Sequence, residues 1–553
     1  MAKKPTDGDT PILESDQVQK LVTAVEESTR ATEVGVARFV EPAHGTLGRA
    51  VSKRHHIVFG RRGSGKTSLL RKAAAELTVD RRPIAFIDLE PFKGHMYPDV
   101  LLSVLITTFT SFAKWLREAG RAPATKKKIW DYFFGSKPKR PPLDKAGTEK
   151  LVAELERQVA ELEALLHSQD GAQVNVSSKV NSSAEFTDGV TLGAKAHGVH
   201  VSVTDSAKKA RSSEAERSEQ FRRSKVDFLH RHILDYQRLF KQLAELSGGD
   251  SYLFLDDLYH IAKRDQPDLI DYFHRIAKNN RLWLKIGTIR HRTDWYRNGD
   301  PPKGMKLGDE ADDIDLDLTL EKYSLTKTFL FKVLDAFAQE SGVKLNDILA
   351  DGARDRLVLA SGGVARDFLT IFRRSVDVAR ERSASHMRGP KIGAEDVNRA
   401  SGEHDQTKRD ELRRDTDSER QRIEDALARI VAFCTEKALA NCFLVQRDRH
   451  EEYIQLIAEL VDMRMIHLVR SRTSVGHRKG QAYFAYMLDL SQYTGERKKR
   501  DLTMIPFWEG DGEDQLRLPK YIYDPAPKPE EPGLSGGSAG VKSTTDLGGE
   551  AEN

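Results

Sequence analysis

Cysteine is nearly absent from this chain of 553 residues, with only Cys434 and Cys442 present. Two thiols eight residues apart in a weakly helical stretch fit reduced core side chains. They give no basis for a disulfide framework, a cysteine metal site or redox chemistry. No run of 18 apolar residues occurs, and the opening MAKKPTDGDTPILES lacks an apolar signal region. Membrane insertion and secretion therefore find no support, and the cytoplasm is the expected compartment. Net charge is also small, because 88 basic and 84 acidic residues leave only +4. Any contact with nucleic acid must then come from local clustering of cations rather than from the global field. Histidines are scattered, among them His55, His56, His230 and His232, with neither HExxH nor finger spacing, and nothing resembles a nucleophile elbow.

What is present is length, with 39% hydrophobic and 31% charged residues, enough for three or more units with at least one sizeable core. Short apolar runs alternate with amphipathic segments: IVF at 57–59, IAFID at 84–88, YLFLDD at 252–257, LWLKIGTI at 282–289 and IDLDLTL at 314–320. Continuous apolar strands separated by helices predict an α/β fold, a parallel sheet covered on both faces. Residues 1–30 are polar and 526–553 are rich in Pro, Gly and Ser, so a disordered leader and a disordered tail are expected.

About 130 residues separate the helix-like 98–120 from the strand at 252, which marks an insertion over 121–224. Within it Leu151, Leu155, Val159, Leu162 and Leu166 form one helical stripe, readable as an antiparallel helical hairpin or as a dimeric coiled coil, the hairpin being favoured. Self-association or a protein partner through this insertion stays open. The small-residue stretch over 174–203 reads either as weak hairpins or as a flexible segment. The remaining divisions are a core in two parts, 31–120 and 225–325, a helical unit over 326–405 and a terminal unit over 406–525. In the last of these the order helix, short strand, helix and basic β-hairpin predicts a winged helix.

The stretch HHIVFGRRGSGKTSLL, residues 55–70, satisfies G-x-x-x-x-G-K-[ST] in full between a strand and an amphipathic helix. Gly60, Arg61, Arg62, Gly63, Ser64, Gly65, Lys66, Thr67 and Ser68 are the candidate phosphate-binding residues. Glycines let successive backbone N–H groups curl around a phosphate, a lysine reaches the β and γ oxygens, and the threonine hydroxyl can ligate magnesium. A nucleoside triphosphate is the ligand that this pattern predicts, ATP with Mg2+.

A second acid must help hold the metal, and two strands end in aspartate, at Asp88 and at Asp256–Asp257. The second pair follows four hydrophobic residues, so Asp256 is expected to order magnesium and Asp257 to polarise the attacking water. Asp257 is shorter than the glutamate usual there, which predicts slow hydrolysis. Thr288 and Arg290, at the end of the next strand, and Arg366, after Gly362–Gly363, are candidate contacts to the γ-phosphate.

These motifs together, GRRGSGKTS, LFLDD, GTIR, GGVARD and IGAEDVNRA, resemble AAA+ ATPases of the origin-recognition and archaeal initiator type and the neighbouring STAND signalling ATPases. The resemblance covers about 35–120 and 225–405, with the winged helix extending it. It implies a P-loop sheet ordered 5-1-4-3-2, a helical lid, a DNA-binding winged helix and an ATP-controlled conformational switch. Asp257 in place of glutamate, the missing sensor asparagine and the long insertion depart from the pattern. In the wing, Arg470, Arg472, Arg478 and Lys479 surround one turn and are candidate contacts to the phosphates of duplex DNA. The alternative implied by the STAND likeness is a sensor in signalling or anti-phage defence whose ATP state controls protein binding and oligomerisation.

Overall fold

The computed structural model describes residues 12–28, 38–79, 82–120, 143–167, 203–384, 389–415, 420–448, 451–476, 480–494 and 502–525. Five parallel strands form the central sheet: β1 (His55–Phe59), β2 (Ile84–Asp88), β3 (Ser251–Asp256), β4 (Leu282–Thr288) and β5 (Ala311–Asp315). Their order is β2-β3-β4-β1-β5, the 5-1-4-3-2 arrangement read in reverse. β1 and β3 are buried along their whole length because helices cover both faces, which is why their centres, IVF and YLFL, read as unbroken apolar runs. The last strand lies three residues earlier than the run IDLDLTL suggests. It is an edge strand that buries only Ala311 and Ile314, so its acids face outward, and residues beyond 315 leave the sheet to meet the glycine loop after β1.

One face carries α3 (Lys66–Val79), whose Leu69, Leu70 and Ala73 pack on Val58 and Phe254. The other carries α4 (Asp99–Gly120), α5 (Lys145–His167), α6 (Val203–Ser247) and α7 (Gln266–Ala277). By length and composition α4 is the one described helix apolar enough to cross a membrane, but its apolar residues are buried against β2 and α5. The leucine stripe of α5 is used in the same way. Leu151, Leu155 and Leu162 are buried in the core shared with α4 and the second half of α6. The stripe is therefore packed within the chain and offers no coiled-coil seam. The boundary expected at 224 falls inside α6, one continuous helix. There the buried Lys225 ammonium donates to Asp99 Oδ1 at 2.8 Å and to the Leu166 carbonyl at 3.2 Å, tying α6 to α4 and to the end of α5. The stretch at 174–203 lies outside the described residues apart from its last position.

The lid consists of α8 (Tyr323–Ser341), α9 (Asp351–Ser361), α10 (Ala365–Ala384) and α11 (Ala394–Asp415). The leader is not unstructured over 12–28. Ser15 caps α1 (Asp16–Glu27), and Leu13, Val18, Leu21, Val22 and Val25 are buried against the lid, while Arg380 Nε donates to the Leu13 carbonyl at 2.8 Å. The terminal unit has α12 (Arg420–Ala432), β6 (Cys442–Gln446), α13 (Glu451–Asp462), β7 (Ile466–Thr473) and β8 (Tyr483–Leu488). Its antiparallel sheet, ordered β6-β8-β7 beside two helices, has the winged-helix arrangement. Lid and winged helix share one contiguous apolar core that also takes in α1, whereas the sheet has two cores of its own.

Leu155→Ala should lower the stability of the sheet unit by about 2–5 kcal/mol, the usual cost of emptying a fully packed leucine site. Urea unfolding measures this, and the mass in solution should not change; dissociation of an oligomer by this substitution would contradict the intramolecular packing of α5.

Candidate nucleotide site

β1 delivers the chain to Gly60 at the carboxyl edge of the sheet, and α3 begins at Lys66, so residues 60–65 must turn sharply between them. Gly63 and Gly65 adopt φ +85° and +99°, a left-handed backbone that side chains rarely tolerate. Ser64 Oγ is buried and has no hydrogen-bond partner among the described residues. Lys66 is 5% exposed, its ammonium lies 5.7 Å from the Tyr259 ring, and its hydrogen bond within the described chain is a long one, 3.4 Å to the Arg61 carbonyl. Burial lowers the pKa of this lysine, opposed by the charges of Asp257, Asp256 and Asp317. A buried ammonium and an orphaned hydroxyl around a glycine cradle fit an oxyanion such as a phosphate.

Asp256 ends β3 beside β4 and is 3% exposed. The Thr67 hydroxyl bonds to its carboxylate, so the two expected magnesium ligands meet. Burial first, then the charge of Asp257, pushes the Asp256 carboxyl up to about 7. Such a group is short of a cation, which suits a divalent metal. Gly287 makes the room: a Cβ there would stand 2.5 Å from Asp256 Oδ1. Asp257 takes φ 56°, its N–H donates to Asp256 Oδ1 at 3.0 Å, and its charge is the largest favourable influence on Lys66. Asp88, the other candidate acid, is exposed and accepts from the Glu90 N–H at 2.9 Å, capping a turn.

The remaining candidates divide. Arg366 opens α10 on the loop itself: its N–H donates to the Gly63 carbonyl at 3.3 Å, and a Cβ on Gly63 would stand 2.8 Å from Arg366 Cβ. Thr288 is fully buried, its hydroxyl paired with that of Thr293, while its carbonyl accepts from the Gly60 N–H at 3.2 Å. It braces the loop through its backbone. Arg290 is held at the edge strand, 2.8 Å from Asp313 Oδ2 and 3.4 Å from Asp315 Oδ2, over the Phe59 ring at 3.9 Å. Its charge is committed to two acids rather than offered to a γ-phosphate. Arg62 and Ser68 are half-buried within the loop and the first turn of α3.

Arg61 departs most from the expectation of a phosphate contact. Its guanidinium is buried and turned from the cradle: Nε lies 3.2 Å from Asp317 Oδ1, and Nη2 donates to the carbonyls of Leu318 and Gly362 at 3.3 and 3.2 Å. The Arg61 N–H also donates to Asp317 Oδ1 at 2.8 Å. One side chain thus straps the loop to the end of the sheet and to the lid. Sequence reasoning missed Asp317, Gly287 and Asp462. Asp462 ends α13 and is buried; burial, reinforced by Asp317 and opposed by Arg61, Arg292 and Lys66, pushes its carboxyl up to about 7. The winged helix therefore forms part of the surroundings of the loop, with α13 packed on the turn at 290–292. Only a tertiary contact reveals this.

In the wing, Arg470 is 3.2 Å from Glu513, Arg472 is exposed, and Arg478 and Lys479 lie outside the described residues. The strand behind the turn is anchored, since the Ser471 N–H and hydroxyl both donate to Glu321 Oε1 at 2.7 Å.

The strand order and this loop define a P-loop fold of the AAA+ type. No family model matches the chain, and no curated protein does. Similar solved structures include the Orc1 protein of Aeropyrum pernix in complex with DNA, at 12% identity over 86% of this chain and 89% of that one, TM-score 0.30. A Walker-type ATPase of Pyrococcus abyssi is 13% identical over 81% and 92%, TM-score 0.37. Cdc6p of Pyrobaculum aerophilum is 12% identical over 88% and 93%, TM-score 0.29. At such identities and TM-scores the likeness carries no argument about substrate, partner or fold, and the fold rests on the strand order and the loop described above.

Lys66→Ala should abolish binding of ATP with Mg2+ in calorimetry, because the loop loses its buried cation, while Asp88→Asn should bind as the unmodified chain does. Retained affinity in the lysine variant would remove the phosphate assignment.

Proposed function

We propose that the chain is an ATP-driven switch that hydrolyses ATP slowly and couples its nucleotide state to engagement of duplex DNA. The observation that carries this reading is the meeting of Lys66, the Thr67–Asp256 pair and Arg366 around one glycine loop. Backbone N–H groups of 60–67 and the start of α3 would bind the phosphates, with Lys66 supplying charge. Thr67 and Asp256 would hold magnesium, which neutralises phosphate charge and fixes its geometry. Asp257 would orient the attacking water and accept its proton. Its short side chain supports slow turnover.

DNA is the partner that the basic turn over 470–480 supports, with Arg472 exposed at its base. A second reading, control of a protein partner in signalling, draws on a different observation. α13 carries Glu451, Glu452, Glu459 and Asp462 and no lysine or arginine, so it lays no cation along a groove of DNA.

Two measurements test the proposal. Asp256→Asn should cut magnesium-dependent phosphate release on the order of a hundredfold or more, the scale of removing one preorganised group from such a site. Electrophoretic titration of the full chain with duplex DNA, with ATP and with ADP, should show salt-dependent binding. Replacing Arg478 and Lys479 by Ala should weaken it at all sequences and lower the salt slope by roughly one to two. No binding at low salt would favour the protein-partner reading.

A further inference from the structure

The first turn of α10 points in two directions. Arg366 lies against Gly63 of the phosphate loop, but the next residue, Asp367, is 1% exposed and faces the winged helix. Its Oδ1 is 2.6 Å from Arg464 Nη1 and 3.5 Å from His404 Nε2, and its Oδ2 is 3.8 Å from Lys408 Nζ. Arg464 sits in the turn between α13 and β7 with φ 62°, and its carbonyl is 3.4 Å from the Lys408 ammonium. Lys408 continues to Asp489 Oδ2 at 2.8 Å, and the same oxygen lies 2.7 Å from His467 Nε2. His467 in turn packs against Gly362, the residue whose carbonyl accepts from Arg61.

This is a closed circuit from the loop, through lid and winged helix, back to the loop. Two carboxylates face one arginine and one lysine, and burial holds the His467 imidazole below its ordinary pKa, opposed by Asp489. Burial alone would push the Asp367 carboxyl up, yet Arg464, His404 and Lys408 hold it well below the usual carboxylate range. Removing one member leaves an opposite charge stranded without water, so the circuit resists partial opening. Successive residues on a helix are about 100° apart around one rigid turn. A rotation that re-aims Arg366 must therefore swing Asp367 as well, and Asp367 is tied to Arg464.

We propose that Arg464 is a positioning residue for recognition of the γ-phosphate: through Asp367 the winged helix sets the first turn of α10 and with it the place of Arg366 at the loop. The proposal rests on the reading of Lys66, Thr67 and Asp256 as an ATP site. Winged-helix seating and discrimination of ATP from ADP are then one equilibrium.

The test uses the full chain and compares calorimetric affinity for a non-hydrolysable ATP analogue with that for ADP, in Arg464→Met, Arg464→Lys, Arg366→Ala and the Arg464→Met/Arg366→Ala double variant. Arg464→Met should lower affinity for the analogue about tenfold, within the usual range of coupling between sites, and leave ADP affinity unchanged. Arg464→Lys should restore part of the loss, and Arg464→Met should cost nothing further once Arg366 is alanine. Equal losses for both nucleotides, or losses that add in the double variant, would show that Arg464 only supports the fold and overturn the proposal. If Arg464→Met does not fold in a thermal scan, Asp367→Asn, which keeps the shape and one hydrogen bond, is judged by the same criteria. Failure of the unmodified chain to bind the analogue would instead overturn the nucleotide assignment, and the proposal with it.

Discussion

The structure depends on one of its buried cations above the others, the guanidinium of Arg61. It is 3% exposed and reaches Asp317 at the end of the sheet together with the carbonyls of Leu318 and Gly362 at the lid. A guanidinium suits this place because its planar fork serves three acceptors at once and cannot lose its proton. Taking away one partner of a buried ion pair costs about 3–5 kcal/mol, a large share of the stability of a typical domain. The conformation of the glycine loop is therefore coupled to the position of the lid before any ligand arrives.

From this strap the molecule divides into two bodies. The sheet with its covering helices has its own cores, while α1, the lid and the winged helix share another. Among the described residues, bridges between the two bodies lie around the glycine loop: Arg61 to Gly362, Gly63 to Arg366, and α13 against the turn at 290–292. Within the second body, Glu321, beside Leu320 of the shared core, holds Ser471 at the base of the wing. A charge placed in the loop would act on all of these contacts together. Burial of Lys66, Asp256 and Asp462 strengthens that action, since charges kept from water are weakly screened.

Much of this was legible in the sequence where the cause is local. Strands packed between helices are mostly apolar, so β1 to β4 stood out, and the glycines and Lys66–Thr67 have their meaning within one turn of chain. The edge strand β5 was misplaced because half of it faces outward and is acidic. The helix α1 escaped notice because a polar leader disguises four apolar residues at helical spacing, although Ser15 supplied a capping signal. Arg290 was assigned to the γ-phosphate because its true partners, Asp313 and Asp315, lie on a strand that only the sheet brings alongside. Arg61 was counted with the loop for the same reason. No spacing rule distinguishes an arginine that binds phosphate from one that turns its back on it.

On the proposed function, loop, lid and winged helix respond to nucleotide as one coupled system. Amide hydrogen exchange of the full chain, with and without a non-hydrolysable ATP analogue, tests it most directly by following 60–68, 362–370 and 464–469 together. Protection should rise or fall in all three segments over the same range of analogue concentration. Protection confined to 60–68, with 362–370 and 464–469 unchanged at saturation, would contradict it.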